Sequence, residues 1–193
     1  MSTEDRTRWD RQHLKSSGAD QPSTFLRETI ESDAWPVMQG TALDLACGNG
    51  RNAIYLAQRG FAVTALDISM VGLDQGRRWA RRNDLQIDWQ QRDLETDGLI
   101  AGDFDLIINF NYLQRSLLAS IRQAVKPGGH VIFETYLIDQ AAIGHPKNPE
   151  YLLRHNELLA SFDGFRVLFY REGKFADSKA AAFRAGIFAQ RIQ

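Results

Sequence analysis

Five short apolar runs, Thr41 to Ala46, Phe61 to Leu66, Gln86 to Gln91, Phe104 to Phe110 and His130 to Tyr136, alternate with longer stretches of helical spacing. A chain patterned this way folds into a parallel sheet covered by helices on both faces, because parallel neighbours need a crossover of a dozen or more residues. Two of the runs, centred on Leu106-Ile107-Ile108 and Val131-Ile132-Phe133, are continuously apolar, as strands buried on both faces must be, and are predicted to form the middle of the sheet.

Leu117, Leu118, Ile121 and Val125 share a helical face between those two runs, and Lys126-Pro127-Gly128-Gly129 is read as a basic last turn followed by a tight turn. After Tyr136 the texture changes to a loop around His145, a short helix at Glu157-Leu158-Leu159, and two strands at Phe165 to Arg171 and Ala181 to Gln190. Too little chain joins those strands for a helical crossover, so they are expected to pair antiparallel. The first forty residues are polar and helical in character, with a loop from Ser16 to Pro22. With 193 residues the chain reads as one α/β domain, a doubly wound, seven-stranded, mostly parallel sheet with an antiparallel last strand: an N-terminal segment 1–40, a cofactor-binding core 41–136 and a substrate-side region 137–193.

Charge is balanced, with 23 basic and 24 acidic side chains, which argues against nucleic acid or an anionic membrane as partner and for a small molecule. One cysteine, Cys47, excludes an intrachain disulfide, and four scattered histidines give no zinc spacing, so no metal is expected. The absence of a signal-like or membrane-length apolar stretch points to the cytoplasm and no membrane. The oligomeric state is not legible.

In Ala42-Leu43-Asp44-Leu45-Ala46-Cys47-Gly48-Asn49-Gly50-Arg51-Asn52-Ala53 a strand meets a glycine loop and then a helix, the layout of a nucleotide site. Asp44 decides which nucleotide. A dinucleotide pyrophosphate over that loop would be repelled by the carboxylate at a cost of about 4 kcal/mol at 4 Å and an effective dielectric near 20. A ligand bringing an ammonium and a sulfonium, S-adenosylmethionine, is attracted instead. Asp67, ending the second run, is placed to accept both ribose hydroxyls, and Asp93, ending the third, to accept from an adenine amino group. Each acid alone also fits a strand-end turn or a helix cap; three at successive strand ends favour a site. Gly48 and Gly50 are expected to let backbone and ligand come close.

The segments LDLACGNGRNAIYLAQRGFAVTALDIS, FDLIINFNYL and KPGGHVIFETY resemble the class I S-adenosylmethionine-dependent methyltransferases. GRN after the loop, WDRQH near the start and ELL before the last strands resemble, more narrowly, the tellurite-resistance (TehB-like) branch. The resemblance implies that Asp44 and the loop Ala46 to Gly50, with Cys47 and Gly48 in it, hold the methionine end, and that Asn52 of the GRN stretch is among the cofactor-binding residues. It implies Asp67 at the ribose, Ile68 on an adenine face, Asp93 and Leu94 at the adenine edge, and Asn109 below the sulfonium. It also places the N-terminal segment over the cofactor, where Trp9 would shield the methyl donor and Arg8 or Arg11 meet its carboxylate. That segment is either a lid or a permanently docked helix. Ala46 stands where the family more often has glycine.

Methyl transfer is an in-line displacement that needs positioning and exclusion of water more than a base. No catalytic residue is fixed by the sequence; candidates around the methyl are Tyr112, Arg115 and His145, with Asn111, Glu134 and Tyr136 nearby. Asn109-Phe110-Asn111-Tyr112 lacks both prolines of the Asn-Pro-Pro-Tyr signature of enzymes that methylate nucleic-acid amines. The reading is therefore a small-molecule methyltransferase, with a non-catalytic S-adenosylmethionine-binding module or a nicotinamide oxidoreductase as alternatives.

Overall fold

A computed structural model describes residues 3–15, 21–176 and 181–192. Residues 16–20 of the loop expected before Pro22 lie outside the described residues. The strands are β1 (Thr41–Leu45), β2 (Ala62–Asp67), β3 (Ile87–Gln91), β4 (Phe104–Phe110), β5 (Val125–Tyr136), β6 (Phe165–Ala176) and β7 (Ala181–Arg191), in one sheet of order β3-β2-β1-β4-β5-β7-β6. β1 to β5 pair in parallel, and β7 runs antiparallel to both β5 and β6. The seven strands, the central pair β4 and β5 and the antiparallel ending all match the sequence expectation.

The helices are α1 (Thr3–Lys15), α2 (Thr24–Ile30), α3 (Arg51–Ala57), α4 (Met70–Arg82), α5 (Leu118–Ala124) and α6 (Glu157–Ser161). Both sheet faces are covered: Leu43, Leu45, Ile107, Val131 and Phe133 belong to one buried cluster, and Ala42, Leu106, Ile108, Ile132 and Phe188 to the other. α4 starts where the Ser69 hydroxyl accepts from the Gly72 N–H at 3.1 Å and ends on Arg81 and Arg82, where cations complement the helix dipole. Among the described residues no helix is long and apolar enough to cross a membrane.

Two boundaries differ from expectation: β6 continues past Arg171 to Ala176, with Glu172, Gly173 and Lys174 paired to β7 rather than forming the connection, and the start of β5 lies earlier. α5 stops at Ala124, and Val125 already pairs with Phe104, so Lys126-Pro127-Gly128-Gly129 belongs to the irregular start of β5 rather than to a helix end and turn. Two contacts fix it there. Lys126 reaches the Asp105 carboxylate at 2.8 Å, and Thr41 donates to the same oxygen from its backbone and hydroxyl. The Lys126 bond holds Asp105 low, at about 2. A side chain at Gly129 would meet the Lys126, Asp105 and Phe104 carbonyl oxygens at 2.9 to 3.1 Å, so only glycine fits.

Candidate functional site

At the carboxyl edge of β1, β2 and β4 lies a cleft of about 290 Å³ lined by Trp9, Gln12, His13, Asp44, Ala46, Cys47, Gly48, Asn49, Arg51, Asn52, Asp67, Ile68, Arg92, Leu94, Phe110, Asn111 and Tyr112. Its floor is the loop between β1 and α3. The Cys47 N–H donates to the Leu66 carbonyl at 2.9 Å and the Gly48 N–H to Asp67 Oδ2 at 2.7 Å, so the end of β2 shapes the loop. Ala46 and Gly48 both sit in the left-handed region, at φ 51° and 59°. That explains why glycine suits position 46: an alanine there costs roughly 1–2 kcal/mol.

Two carboxylates face this cleft. Asp44 is 1% exposed, and its Oδ2 has no hydrogen-bond partner among the described residues, while the Ala53 backbone N–H bonds the carboxylate. Burial pushes its carboxyl up to about 8, with the charge of Asp67 adding to the shift. An orphaned buried carboxylate oxygen in a cleft is costly unless a ligand brings a donor or a cation to it. Asp67 is oriented by N–H groups on both oxygens, from Gly48 and from Ser69 at 2.7 Å each, and burial raises its pKa against those donors. Each oxygen retains a lone pair for a further donor. This pair fits a ligand with a cation near Asp44 and hydroxyls near Asp67.

The mouth is spanned by α1. Asp10 accepts from the Ser69 hydroxyl at 2.6 Å, and Gln75 Nε2 donates to the His13 carbonyl at 2.8 Å, tying α1 to the first turns of α4. Trp9 and His13, one helical turn apart, thereby face the cleft with ring centroids 6.4 Å apart. Asn52 lines the cleft and also holds the next element, its Oδ1 accepting from the Ser23 N–H at 2.9 Å just ahead of α2. Burial, then the charges of Asp67 and Asp44, push the Cys47 thiol well above its ordinary range, so it is no thiolate nucleophile.

The sequence candidates thus divide. Trp9, Asp44, Ala46, Cys47, Gly48, Asn52, Asp67, Ile68, Leu94 and Tyr112 come together around the cleft. Arg11, Gly50, Asp93, Asn109, Arg115 and His145 do not line it. Gly50 caps α3 at φ 76° and faces β3 instead, where an added Cβ would lie 2.1 Å from the Trp89 ring. Asn109 is buried and donates to the Tyr112 carbonyl at 2.7 Å, shaping the segment that follows β4. Arg115 grips Glu157 through Nε at 2.6 Å and Nη2 at 3.0 Å, and also the Glu150 and Leu152 carbonyls. His145 is exposed, and its carbonyl accepts from Gln140. Arg11 is exposed on α1, and Asp93 accepts from the Glu95 N–H in the turn after β3.

Asn49 of the expected loop also lines the cleft, and Gln12, His13, Arg51, Arg92 and Phe110 line it without having been singled out. His13 had a signal, its four-residue spacing from Trp9; Arg92 had none, since it is placed by bonds to the Asp97, Gly98 and Leu99 carbonyls.

A family model described as a methyltransferase domain matches residues 42–129. The ubiquinone biosynthesis O-methyltransferase of Nitrosococcus oceani is 36% identical over 99 residues, 48% of this chain and 42% of that enzyme. Its counterpart in Escherichia coli is 32% identical over 99 residues, 48% and 41% of the two chains. The matched part spans less than half the length of these curated relatives. Among solved structures, TehB from Haemophilus influenzae superimposes with TM-score 0.72 at 21% identity over 86% of this chain and 60% of that one. Magnesium protoporphyrin IX methyltransferase from Synechocystis superimposes with TM-score 0.67 at 18% identity, covering 98% and 96%.

Residues 42–129 are thus similar to a methyltransferase domain, and the sheet order is that of the Rossmann-like methyltransferase fold.

Proposed function

We propose that this chain is an enzyme that transfers a methyl group from S-adenosylmethionine to a small-molecule acceptor. The observation that carries the reading is the buried, half-partnered carboxyl of Asp44 in the cleft, which suits an α-ammonium that displaces its proton on binding. In this reading Asp44 and the loop from Ala46 to Gly48 hold the methionine end. Asp67 takes the ribose hydroxyls, and Ile68 and Leu94 flank the adenine. The cofactor supplies an electrophilic methyl on a good leaving group. The chain's part is to align the acceptor and exclude water, which can contribute roughly 7–11 kcal/mol without any general base.

Phe110, Asn111 and Tyr112 are the acceptor-side residues of this reading. Tyr112 Oη is buried without a partner, and burial raises its pKa above the ordinary range, so at neutral pH it is a hydrogen-bond donor rather than a base. Trp9, Gln12 and His13 close the cleft from α1, which acts here as a lid with its latch at Asp10 and Gln75.

The O-methyltransferase names of the curated relatives support a small organic acceptor, and the GRN and WDRQH stretches support a place in the tellurite-resistance branch. Cytoplasmic residence is supported by the free thiol of Cys47. Incubation with methyl-labelled S-adenosylmethionine and a panel of phenols, thiols, amines and oxyanions tests the reading. Labelled product from at least one class is expected; cofactor binding with no turnover on any class would favour a non-catalytic binding module.

A further inference from the structure

A charged cluster adjoins the acceptor side of the cleft, joining Glu134, Tyr136 and Asn111 to two arginines, Arg171 and Arg184, that no sequence pattern singled out. Glu134 on β5 is 1% exposed and sits between two guanidinium groups, with Arg171 of β6 at 2.6 Å and Arg184 of β7 at 3.8 Å. The ladders bring them together: Arg184 lies opposite Tyr136, while Glu134 and Arg171 both lie opposite Gly186. Arg171 stacks between Phe25 and Phe175, and Glu28 approaches it from the exposed side at 3.5 Å. Arg184 lies over the Tyr136 ring, donates to the Tyr136 hydroxyl at 3.0 Å and donates to Asn111 Oδ1 at 2.5 Å. Asn111 is the member that lines the cleft.

A guanidinium has donors only. The Asn111 atom that meets it must therefore be the amide oxygen, and, because Asn111 lines the cleft, its amide nitrogen is the atom left to serve a ligand there. The backbone holds the arrangement as well: Asn111 has φ 59°, and its N–H donates to the Glu134 carbonyl at 2.9 Å. Glu134 thus steadies Arg184, Arg184 orients Asn111, and Asn111 presents a donor to whatever lies beside it.

We infer that Asn111, oriented by Arg184 and Glu134, sets the polarity of the acceptor subsite, so that the cleft admits a group offering a lone pair or negative charge and refuses an ammonium. Asn111 is the specificity-determining residue, and Arg184 and Glu134 are positioning residues. The inference rests on the methyltransferase reading, since it takes this end of the cleft as the acceptor's.

Benzoate and benzylammonium, alike in size and opposite in charge, are the probes. Saturation-transfer NMR on the protein loaded with S-adenosylhomocysteine is expected to show benzoate binding at least tenfold tighter than benzylammonium, the scale of a charge-assisted hydrogen bond. Asn111→Asp keeps an oxygen for Arg184 and offers a second one to the cleft, so it is expected to abolish or reverse the preference in a protein that still saturates with S-adenosylhomocysteine. Arg184→Gln, which frees the amide to rotate, is expected to reduce the preference in a folded protein. Equal binding of the two probes, binding of neither, a preference for the amine, or an unaltered preference in folded Asn111→Asp would overturn the inference. Failure of S-adenosylhomocysteine itself to bind would instead remove the methyltransferase reading on which it stands.

Discussion

Cofactor binding should be coupled to a proton at Asp44. In the free protein burial pushes this carboxyl up to about 8, so below neutral pH it is mostly protonated. An α-ammonium is attracted to the ionised form. Binding must then expel the proton, and each pH unit below about 8 costs about 1.4 kcal/mol, or tenfold in affinity. Titration calorimetry with S-adenosylhomocysteine should therefore show affinity rising about a hundredfold from pH 5 to pH 7, a range in which the ligand's ammonium stays protonated. Paired buffers of different ionisation enthalpy should reveal release of close to one proton per ligand near pH 6. Asp44→Asn should remove both the pH dependence and the proton release, and weaken binding at least tenfold at pH 7. The free protein responds in the other direction. Its folded state keeps a proton that the unfolded chain loses above about 3.8, so this contribution to stability is full below 3.8 and is lost as pH rises toward about 8. Affinity that is flat from pH 5 to pH 7 with no proton released would refute the placement of a cation at Asp44.

Asp67→Ala should weaken S-adenosylhomocysteine at least tenfold by calorimetry and also lower the melting temperature, because the Gly48 and Ser69 N–H groups lose their acceptor. Arg115→Ala should cost about 2 kcal/mol in urea unfolding, stranding Glu157 and two carbonyls, and leave cofactor affinity unchanged; a selective loss of turnover would restore Arg115 as a catalytic candidate. Ala46→Gly should stabilise the free protein by about 1 kcal/mol by relieving the left-handed backbone; no gain, or a loss, would count against strain there. Deleting residues 1–15 should leave a cooperatively folding domain with weakened cofactor binding and a severe loss of turnover, whereas broad loss of stability would make α1 a structural helix.

The sheet was legible because its signals are local. Apolar runs mark β1, β2, β4 and β5, and the little chain between the last two strands forces β6 and β7 into an antiparallel pair. Asp44 and Asp67 were legible for the same reason, each lying at a predicted strand or its end. What escaped depends on pairings between distant segments. The role of Gly50 is set by Trp89 on β3, which no spacing near the loop announces. Lys126 looked like a helix-ending cation because its partner, Asp105, stands 21 residues earlier, on the neighbouring strand β4. Arg184 and Asn111 are 73 residues apart and meet only through the β5–β7 register. Arg115, by contrast, was overread: a cation after a strand near the cleft is consumed by Glu157, 42 residues on.

Calorimetry on the unmodified protein, with S-adenosylhomocysteine and NAD titrated in parallel at pH 7, tests the central claim most directly. Saturable binding of one S-adenosylhomocysteine per chain and no comparable heat from NAD are expected; tight NAD binding, or no response to S-adenosylhomocysteine, would contradict the assignment of the cleft.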